Sequence, residues 1–250
     1  QVSHTYTHIT MPQRRLLRCL LLLLGVALSA VSSLQAQPAD TLSLHFVDLA
    51  ISHETGTWLA QNSERFALFR STDLGETWAE VEYLWNPFLR TIVAGNGTII
   101  AYPNSPWTDE GGNPYPAYRS TDDGTEWRAI EELVGVSIQR IVTTGTAFFM
   151  MTTNGQLYQT TGPGILFEEV TLPDGWGELS AIDAAPGVVL LTSSIGAGLV
   201  SRDDGLTWEP CPIPAVGCDA PLVSGGLLAA TCGDSLYVSA NAGRSWQAHP

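Results

Sequence analysis

The sequence contains no lysine, so all 11 basic residues are arginine, whereas 25 residues are acidic. The formal net charge is −14 at pH 7. Nucleic acids and anionic membrane surfaces repel such a chain, so we expect neither as a partner. An acidic surface without lysine is compatible with adaptation to high salt, which screens self-repulsion, and equally with a biased genome.

Several signatures of catalytic and cofactor sites are also missing. There is no G-x-S-x-G segment of a serine hydrolase and no glycine-rich phosphate-binding loop. The 5 histidines are scattered and the 4 cysteines lack metal-ligand spacing, so we predict no metal and no cofactor. No segment after residue 36 has a convincing helical pattern, which indicates an all-β chain.

The one long apolar run lies near the N-terminus. Three arginines precede the run Leu20–Leu28, and small residues follow up to Ala36, which is the pattern of a secretory signal peptide. The run is shorter than the roughly 20 residues of a membrane span, although a retained anchor is the alternative. We predict an upstream artefact at 1–10, a signal peptide at 11–36, and secretion to the periplasm or exterior without membrane contact after its removal.

An eight-residue pattern recurs along the rest of the chain. Three copies have the form S-x-D-x-G-x-x-W, and a fourth has Asn241 in place of the aspartate. The defining positions are Ser71, Asp73, Gly75 and Trp78; Ser120, Asp122, Gly124 and Trp127; Ser201, Asp203, Gly205 and Trp208; and Ser239, Asn241, Gly243 and Trp246. A decayed fifth copy, with Phe167 in place of the tryptophan, lies at 160–167.

The spacing of the copies indicates their architecture. They start at residues 71, 120, 160, 201 and 239, so the spacings are 49, 40, 41 and 38 residues. A unit of about 40 residues is the period of a four-stranded propeller blade. The aspartate or asparagine of a copy can accept hydrogen bonds from backbone N–H groups and so close a turn. The glycine can supply the positive φ that the turn needs, and the tryptophan can pack between neighbouring sheets. We therefore predict that the copies are structural turns.

The pattern resembles the Asp box, or BNR repeat, whose form is S-x-D-x-G-x-T-W. Asp boxes occur in bacterial sialidases, sortilin-type receptor domains, xyloglucan-cleaving hydrolases and a photosystem assembly factor. The resemblance covers about residues 42–250 and implies a β-propeller in which each box joins the third and fourth strands of a blade, away from the usual ligand face. It implies no particular chemistry, because these relatives share blades and not reactions.

The expected fold is all-β, a β-propeller with five visible four-stranded blades over 42–250. Predicted strands are β-branched, aromatic or alternating and are bounded by turn residues. The fourth strands of the first and third blades are predicted at Trp78–Tyr83 and Leu166–Val170. The five blades either close a ring, with residues 40–45 available to complete the last blade, or belong to a truncated six- or seven-bladed ring.

Three cysteines follow the predicted signal peptide, namely Cys211, Cys218 and Cys232. Secretion permits disulfides, and two pairings are open. A bond between Cys211 and Cys218 would staple the proline-containing loop between them. Alternatively, a hairpin that turns at Ser224–Gly226 would place Cys218 opposite Cys232. Either pairing leaves one thiol over.

Ligand-binding residues are expected on loops, because propeller ligand faces are usually built by the loops between the second and third strands and by those between blades. The long first spacing comes from a loop at 103–118, and long irregular loops are often functional. The ligand-binding candidates on such loops are Trp85, Trp107, Asp109, Glu110, Tyr115 and Trp176. Their rings could stack on sugars or grip a peptide, or the tryptophans could simply cover blade edges.

A glycoside hydrolase of the sialidase or xyloglucanase type is the alternative function. Most such enzymes need two carboxylates roughly 5 to 9.5 Å apart. A sialidase also needs converging arginines, but the Arg-Ile-Pro motif is absent, and Arg70 and Arg119 lie in third strands beside the boxes. The acidic residues on candidate loops are Asp109, Glu110, Asp174 and Glu178. Because no catalytic signature is present, we favour a secreted, non-catalytic propeller that binds a protein or glycan at the cell exterior, with catalytic residues unknown.

Overall fold

The computed structural model describes residues 46–52, 55–62, 67–81, 89–93, 97–103, 112, 115–161, 166–215 and 217–249. All of them belong to the unit that runs from Leu44 to Pro250. The predicted segments at 1–10 and 11–36 lie outside the described residues. Within the described part, the helical structure is a single 3₁₀ turn at Glu131–Leu133, and no helix there is long and apolar enough to cross a membrane.

Twenty strands form five four-stranded sheets, and in each sheet the strands pair antiparallel in chain order. We call these sheets blades 1 to 5. Blade 1 contains β1 (Phe46–Ile51), β2 (Trp58–Asn62), β3 (Ala67–Ser71) and β4 (Ala79–Glu80). Blade 2 contains β5 (Leu89–Val93), β6 (Ile99–Pro103), β7 (Ala117–Ser120) and β8 (Arg128–Ile130). Blade 3 contains β9 (Ile138–Thr143), β10 (Ala147–Thr152), β11 (Leu157–Thr161) and β12 (Glu168–Glu169).

The last two blades repeat the same plan. Blade 4 contains β13 (Leu179–Ala185), β14 (Val188–Ser193), β15 (Gly198–Ser201) and β16 (Glu209–Pro210). Blade 5 contains β17 (Cys218–Ser224), β18 (Leu227–Cys232), β19 (Ser235–Ser239) and β20 (Gln247–His249). The predicted all-β fold with five four-stranded blades is therefore confirmed. Blade 5 has its own fourth strand, so residues 40–45 are not required to complete it.

The predicted outer strands of blades 1 and 3 are too long. Strand β4 pairs with β3 over two residues only, and β12 pairs with β11 over two. In blade 1, Trp78 stays in the turn because its indole Nε1 donates a hydrogen bond back to the carbonyl of Gly75 (3.1 Å). The outer strand therefore begins one residue after the tryptophan. Residues 82–83 of the predicted strand lie outside the described part.

The core lies between blades, because alternate side chains of each strand point to opposite sides of its sheet. We call the side that faces the preceding blade in the chain the leading face, and the side that faces the following blade the trailing face. Leu59 and Leu68 on the trailing face of blade 1 pack with Ile99 and Ala101 on the leading face of blade 2. Similar apolar clusters join blades 2 and 3, 3 and 4, and 4 and 5.

The first strands of successive blades lie beside one another, from β1 and β5 through β9 and β13 to β17. Each four-stranded sheet thus buries its apolar sides on its neighbours, as the repeat requires. Among the described residues, the strands of blade 1 and blade 5 do not pack extensively on each other.

The structure selects one of the two disulfide pairings. Cys218 of β17 and Cys232 of β18 face each other across the hairpin and are bonded. Cys211 is a free, buried thiol, and its Sγ lies 3.6 Å from the carbonyl oxygen of Gly243. Burial raises the pKa of the Cys211 thiol to about 11. The turn at Ser224–Gly226 therefore decides the pairing, because it sets the register of the two strands.

Candidate functional site

The repeated turns connect the third and fourth strands of their blades, and each is closed by its own side chains. In blade 1, the Ser71 hydroxyl donates to Asp73 Oδ1 (2.7 Å) and accepts from the backbone N–H of Gly75 (2.9 Å). Asp73 then accepts from the backbone N–H of Thr77 (2.9 Å) and from its hydroxyl (2.5 Å). The carboxylate is thus fully engaged within its own turn.

Blades 2, 4 and 5 repeat this network with small variations. Asp122 accepts from the backbone N–H of Glu126 (2.9 Å), where no threonine hydroxyl is available. In blade 5, Asn241 Oδ1 accepts from the backbone N–H of Ser245 (2.9 Å), and its Nδ2 donates to the Ser245 hydroxyl (2.8 Å). An amide can therefore take the place of the carboxylate in closing the turn.

These hydrogen bonds favour the charged form of the aspartates. Side-chain and backbone hydrogen bonds from Thr77 lower the pKa of Asp73 to about 2. The equivalent bonds from Thr207 lower the pKa of Asp203. For Asp122, burial raises the pKa, but the hydrogen bonds from Glu126 and Ser120 outweigh burial and the net pKa is lowered. These hydrogen bonds keep the turn aspartates ionised at neutral pH. An aspartate that stays ionised is unsuited to donate a proton in catalysis.

In the turns of blades 1, 2, 4 and 5, two successive residues adopt the left-handed backbone region. In blade 1 these are Leu74 (φ 60°) and Gly75 (φ 85°). The residues before the glycine in the other turns are Asp123, Asp204 and Ala242, with φ between 55° and 64°. We call this site the fourth position of the turn. The sequence pattern identified the glycine but not the strained residue before it.

The turn glycines also allow the blades to approach closely. A Cβ on Gly205 would lie 2.5 Å from the ring of Phe149 in blade 3, and one on Gly124 would lie 3.2 Å from Leu59 in blade 1. A side chain at Gly205 would thus clash with the preceding blade. The glycine is required both for its backbone conformation and for this contact.

Side chains of the preceding blade hold the fourth-position carbonyls. Arg70 Nε donates to the carbonyl of Asp123 (2.7 Å), and Gln159 Nε2 donates to that of Asp204 (2.9 Å). Arg202 Nε donates to the carbonyl of Ala242 (3.1 Å). Arg70 therefore links blades 1 and 2.

The carboxylate of Asp123 adds a second link between blades 1 and 2. Asp123 Oδ1 accepts from the hydroxyl of Thr55 (2.7 Å), and Asp123 Oδ2 accepts from that of Thr57. The guanidinium of Arg70 lies 3.8 Å from the same carboxylate. The carbonyl oxygen and both carboxylate oxygens of Asp123 are therefore occupied by contacts between blades 1 and 2.

The turn tryptophans are half-buried, and those of blades 2, 4 and 5 pack at the interface with the preceding blade. Trp127 packs against the cluster between blades 1 and 2, and Trp208 against the cluster between blades 3 and 4. The rings of Trp208 and Phe149 meet edge to face, with centroids 6.2 Å apart. In the decayed copy of blade 3, Phe167 packs against the cluster between blades 2 and 3.

Two of the six ligand-binding candidates lie within the described residues. Tyr115 is half-buried and lies beside Tyr118. The pKa of Tyr118 is raised mainly by burial, and the neighbouring Tyr115 raises it further. Trp176 is buried among apolar residues between blades 3 and 4, so its ring presents no open face. Its indole N–H has no hydrogen-bond partner. The other four candidates, Trp85, Trp107, Asp109 and Glu110, lie outside the described residues.

A charged pair on the first strands was missed by sequence reasoning. Arg140 of β9 and Asp183 of β13 form an ion pair of 3.2 Å, and Asp183 Oδ2 also accepts from the backbone N–H of Val223 in β17 (2.8 Å). Burial raises the pKa of Asp183, although the Val223 N–H and the Arg140 charge oppose it. Asp183 thus ties three consecutive blades together along their first strands.

The acidic side chains of the described residues are dispersed. No group of three or more histidine, cysteine, aspartate or glutamate side chains there could hold a metal ion. The third-position aspartates of the pattern, Asp73, Asp122 and Asp203, lie on three different blades. Asp174 and Glu178, on the connection that enters blade 4, are exposed, and Arg119 is half-buried in β7.

Comparison with known proteins supports the fold. No family model matches the sequence, and no curated protein matches it. A solved structure described as YCF48 bound to D1 peptide is similar, with 16% identity, a TM-score of 0.59, and coverage of 86% of this chain and 69% of the other. The GH74 enzyme of Niastella koreensis is 21% identical with a TM-score of 0.59, over 80% of this chain and 30% of the enzyme.

Virginiamycin B lyase from Staphylococcus aureus is a third similar structure. It is 20% identical with a TM-score of 0.56, over 85% of this chain and 72% of the lyase. These proteins have different activities but similar propellers, so the likeness shows a β-propeller fold and nothing about chemistry.

Proposed function

We propose that this chain is an Asp-box propeller that is exported and binds a protein or a glycan outside the cell without catalysing a reaction. The observation that carries the proposal is the use of the turn aspartates. Asp73, Asp122 and Asp203 lie on separate blades and accept hydrogen bonds within their own turns. The most regular acidic residues of the chain are therefore committed to structure.

Export is supported by the cysteines. The bond between Cys218 and Cys232 joins directly opposed residues of one hairpin. Disulfides persist in the periplasm and outside the cell and are rare in reducing compartments. This agrees with the signal-peptide pattern at 11–36.

The proposed ligand face is the loop between β6 and β7. It includes Trp107, Asp109 and Glu110, and it ends at Tyr115, which lies beside the partly buried Tyr118. Aromatic rings present flat faces that stack on sugars or peptide side chains. The YCF48 structure named above holds a peptide, so a propeller of this type can bind a polypeptide.

The test is a binding screen with the exported protein against a glycan array and a peptide library. Changing Trp107 and Tyr115 to alanine should abolish binding of any hit and leave the melting temperature unchanged. The matched control is Leu206→Ala, which alters an exposed residue of the blade 4 turn and should preserve binding. Binding that survives both aromatic changes would contradict the proposed face.

A glycoside hydrolase is the second candidate, because a GH74 enzyme shares the fold. This chain spans 30% of that enzyme, so a complete hydrolase site would need residues that the likeness does not supply. Turnover of xyloglucan or a sialoside that disappears in Asp109→Ala or Glu110→Ala would favour the hydrolase over the binding protein.

A further inference from the structure

Asp204, the fourth-position residue of the blade 4 turn, has a carboxylate oxygen that is buried without a partner. Its Oδ1 atom is shielded from solvent and accepts no hydrogen bond from the described residues. Asp204 also takes part in none of the ion pairs found among those residues. A buried carboxylate oxygen without a donor costs free energy, so this atom marks a place that a positively charged group would stabilise.

The turn of blade 2 shows how the same residue type is satisfied elsewhere in the chain. Asp123 has the fourth position there, and its φ of 64° is close to the 58° of Asp204. Its two carboxylate oxygens accept hydrogen bonds from the hydroxyls of Thr55 and Thr57. The guanidinium of Arg70 lies 3.8 Å away. The carboxylate of Asp123 therefore has two hydroxyl donors and one cation, all from the preceding blade.

Blade 3 does not supply that cation to the blade 4 turn. By strand register, Gln159 takes the place of Arg70, because each pairs with the residue, Phe149 or Leu59, that lies against the turn glycine of the next blade. Gln159 Nε2 donates to the carbonyl of Asp204 (2.9 Å), as an arginine would. The link to the backbone is thus kept, but the positive charge is lost.

The hydroxyl donors are missing as well. The register places Ala147 where blade 1 has Thr57. The hairpin between β9 and β10 does contain threonines, but their hydroxyls bond within the hairpin. Thr143 Oγ1 donates to the carbonyl of Ala147 (2.9 Å), and the hydroxyls of Thr144 and Thr146 share a hydrogen bond (3.2 Å). The fourth-position carboxylate of blade 4 therefore receives no hydrogen bond from this hairpin.

The nearest arginine in the sequence does not compensate the charge. Arg202 lies two residues before Asp204, but its Nε donates to the carbonyl of Ala242 in blade 5 (3.1 Å) and its Nη1 pairs with Glu209. The adjoining Asp203 carries a negative charge of its own, since hydrogen bonds lower its pKa. The turn of blade 4 thus carries one more uncompensated negative charge than the turn of blade 2.

From this comparison of two copies of the repeat we propose that the interface between blades 3 and 4 binds a monovalent metal cation at Asp204, in the place that the guanidinium of Arg70 takes between blades 1 and 2. A single positive charge then replaces a single positive charge. Calcium suits the site less, because its sites usually contain several carboxylates, and no group of three or more acidic, histidine or cysteine side chains lies together in the described part.

The proposed cation site is independent of the proposed function, because it lies at the turn between the third and fourth strands and not on the proposed ligand face. A site built on one carboxylate leaves no histidine or cysteine spacing in the sequence. The expectation of no metal, which was drawn from that spacing, therefore does not bear on it.

The test compares melting temperatures in sodium chloride and in choline chloride at equal concentration. The two salts screen charge equally, but the choline ion is too bulky for a buried site. Because a cation that binds only the folded state stabilises it, the unmodified protein should melt about 3–6 °C higher in sodium chloride once sodium exceeds its Kd about tenfold.

Three variants locate the effect. Asp204→Asn removes the proposed ligand and should lose the difference between the two salts. Gln159→Arg supplies the guanidinium of blade 1, so it should also lose the difference and should melt higher than the unmodified protein in choline chloride. Asp234→Asn removes an exposed acid elsewhere and should keep the difference. If Asp204→Asn does not fold, judged by its melting curve, Asp204→Ala replaces it, since blade 5 has Ala242 in this position.

Two results would overturn the proposal. One is an unmodified protein that melts at the same temperature in both salts, which would mean that water or a proton satisfies Asp204. The other is a sodium-specific difference that persists in Asp204→Asn or in Gln159→Arg, which would mean that sodium acts elsewhere on the protein.

Discussion

At the scale of single residues, the turn of blade 1 depends on the hydrogen bonds of its aspartate and on two residues with left-handed backbone. Asp73 closes its own turn through Ser71 and Thr77, and the adjoining Leu74 and Gly75 hold the left-handed backbone that the turn needs. The hydrogen bonds all stabilise the carboxylate and not the protonated acid. The stability that these turns contribute to the fold should therefore decrease as the pH falls.

Acid should destabilise the protein in a window set by these carboxylates. Asp73 has a folded-state pKa of about 2, below the value of about 3.9 in an unfolded chain, so the unfolded state binds protons first as pH falls. The contribution of the turn aspartates is complete above about pH 5 and is lost as the pH approaches 2. Melting temperatures measured from pH 7 to pH 2 should show this loss.

The matching variant is Asp73→Asn with Asp203→Asn, which copies the asparagine of blade 5. It should lose less melting temperature between pH 7 and pH 3 than the unmodified protein. Asp234→Asn, in the turn between β18 and β19, is the control and should not change the pH profile. An unchanged profile in the double variant would contradict the assignment.

The turn tryptophans should contribute to stability and not to recognition. Trp127→Ala removes a half-buried ring that packs against the apolar cluster between blades 1 and 2, at a cost of about 3 kcal/mol. Urea unfolding should detect this loss, while Leu206→Ala should change stability by less than about 0.5 kcal/mol. A ligand affinity that falls in Trp127→Ala with no loss of stability would mean that the turn belongs to the site.

At the scale of strands and turns, three pairs of neighbouring blades, 1 and 2, 3 and 4, and 4 and 5, are joined by the same kind of acceptor but by different donors. The acceptor is the fourth-position carbonyl of the turn. Arg70 and Gln159 lie just before the first residue of their own turns, whereas Arg202 lies just after Ser201. The geometry of the interface is kept although the donor moves along the chain, because long side chains can reach one carbonyl from either position.

The link between blades 1 and 2 should be measurable as a coupling. Arg70→Met should cost about 1–3 kcal/mol, because it leaves the Asp123 carbonyl and carboxylate without a charged donor. In a double-mutant cycle with Asp123→Asn, the coupling energy should be about 1 kcal/mol or more. Arg244→Met, at an exposed turn residue, should have little effect. A coupling near zero would mean that the contact is not made in solution.

The hairpin of blade 5 should carry its disulfide in protein that is purified without reducing agent. Peptide mapping without reduction should recover Cys218 linked to Cys232, and Cys211 should react with iodoacetamide only after unfolding, because it is buried with a raised pKa. Replacing Cys218 and Cys232 by serine should cost about 3 kcal/mol for a closed loop of this length. A bond between Cys211 and Cys218 in the map would contradict the observed register.

At the scale of the whole molecule, charge and packing act in opposite directions. Residues 1–36 contain three arginines and no acidic residue, so the chain after residue 36 has 8 basic and 25 acidic residues and a net charge of 8 − 25 = −17. Like charges repel one another across a folded surface. The uncharged clusters between blades provide the opposing stabilisation.

Salt should therefore stabilise the protein. Raising sodium chloride from about 0.05 M to 1 M shortens the screening length from over 10 Å to about 3 Å, which weakens repulsion between the acidic side chains. The melting temperature should rise over this range. The same change in sodium sulfate would also strengthen apolar burial, so the two salts should be compared. A melting temperature that stays constant or falls as sodium chloride is added would show that repulsion between acidic side chains does not significantly destabilise the fold.

The fold was predictable from the sequence to a large extent. The spacing of the Ser-x-Asp-x-Gly copies predicted five four-stranded units, and the structure has five. The short outer strands were predicted less well, because the turn holds the tryptophan through its own hydrogen bond.

The candidate site was less predictable. Trp176 was a ligand-binding candidate, with cover of a blade edge as the alternative, and it is buried between blades 3 and 4. Its position in a loop gave no indication of this, because burial depends on contacts with residues such as Leu191 that are distant in the chain. Asp183 was not singled out among 25 acidic residues, because its role depends on partners in two other blades.

The sequence by itself determined the repeating unit, the turns and the five visible four-stranded units, because these follow from short patterns whose hydrogen bonds close within eight residues. The tertiary structure alone decided which cysteines pair, which arginine holds which carbonyl, and which tryptophan is covered. These outcomes depend on register and on the approach of neighbouring sheets, which short-range patterns do not encode.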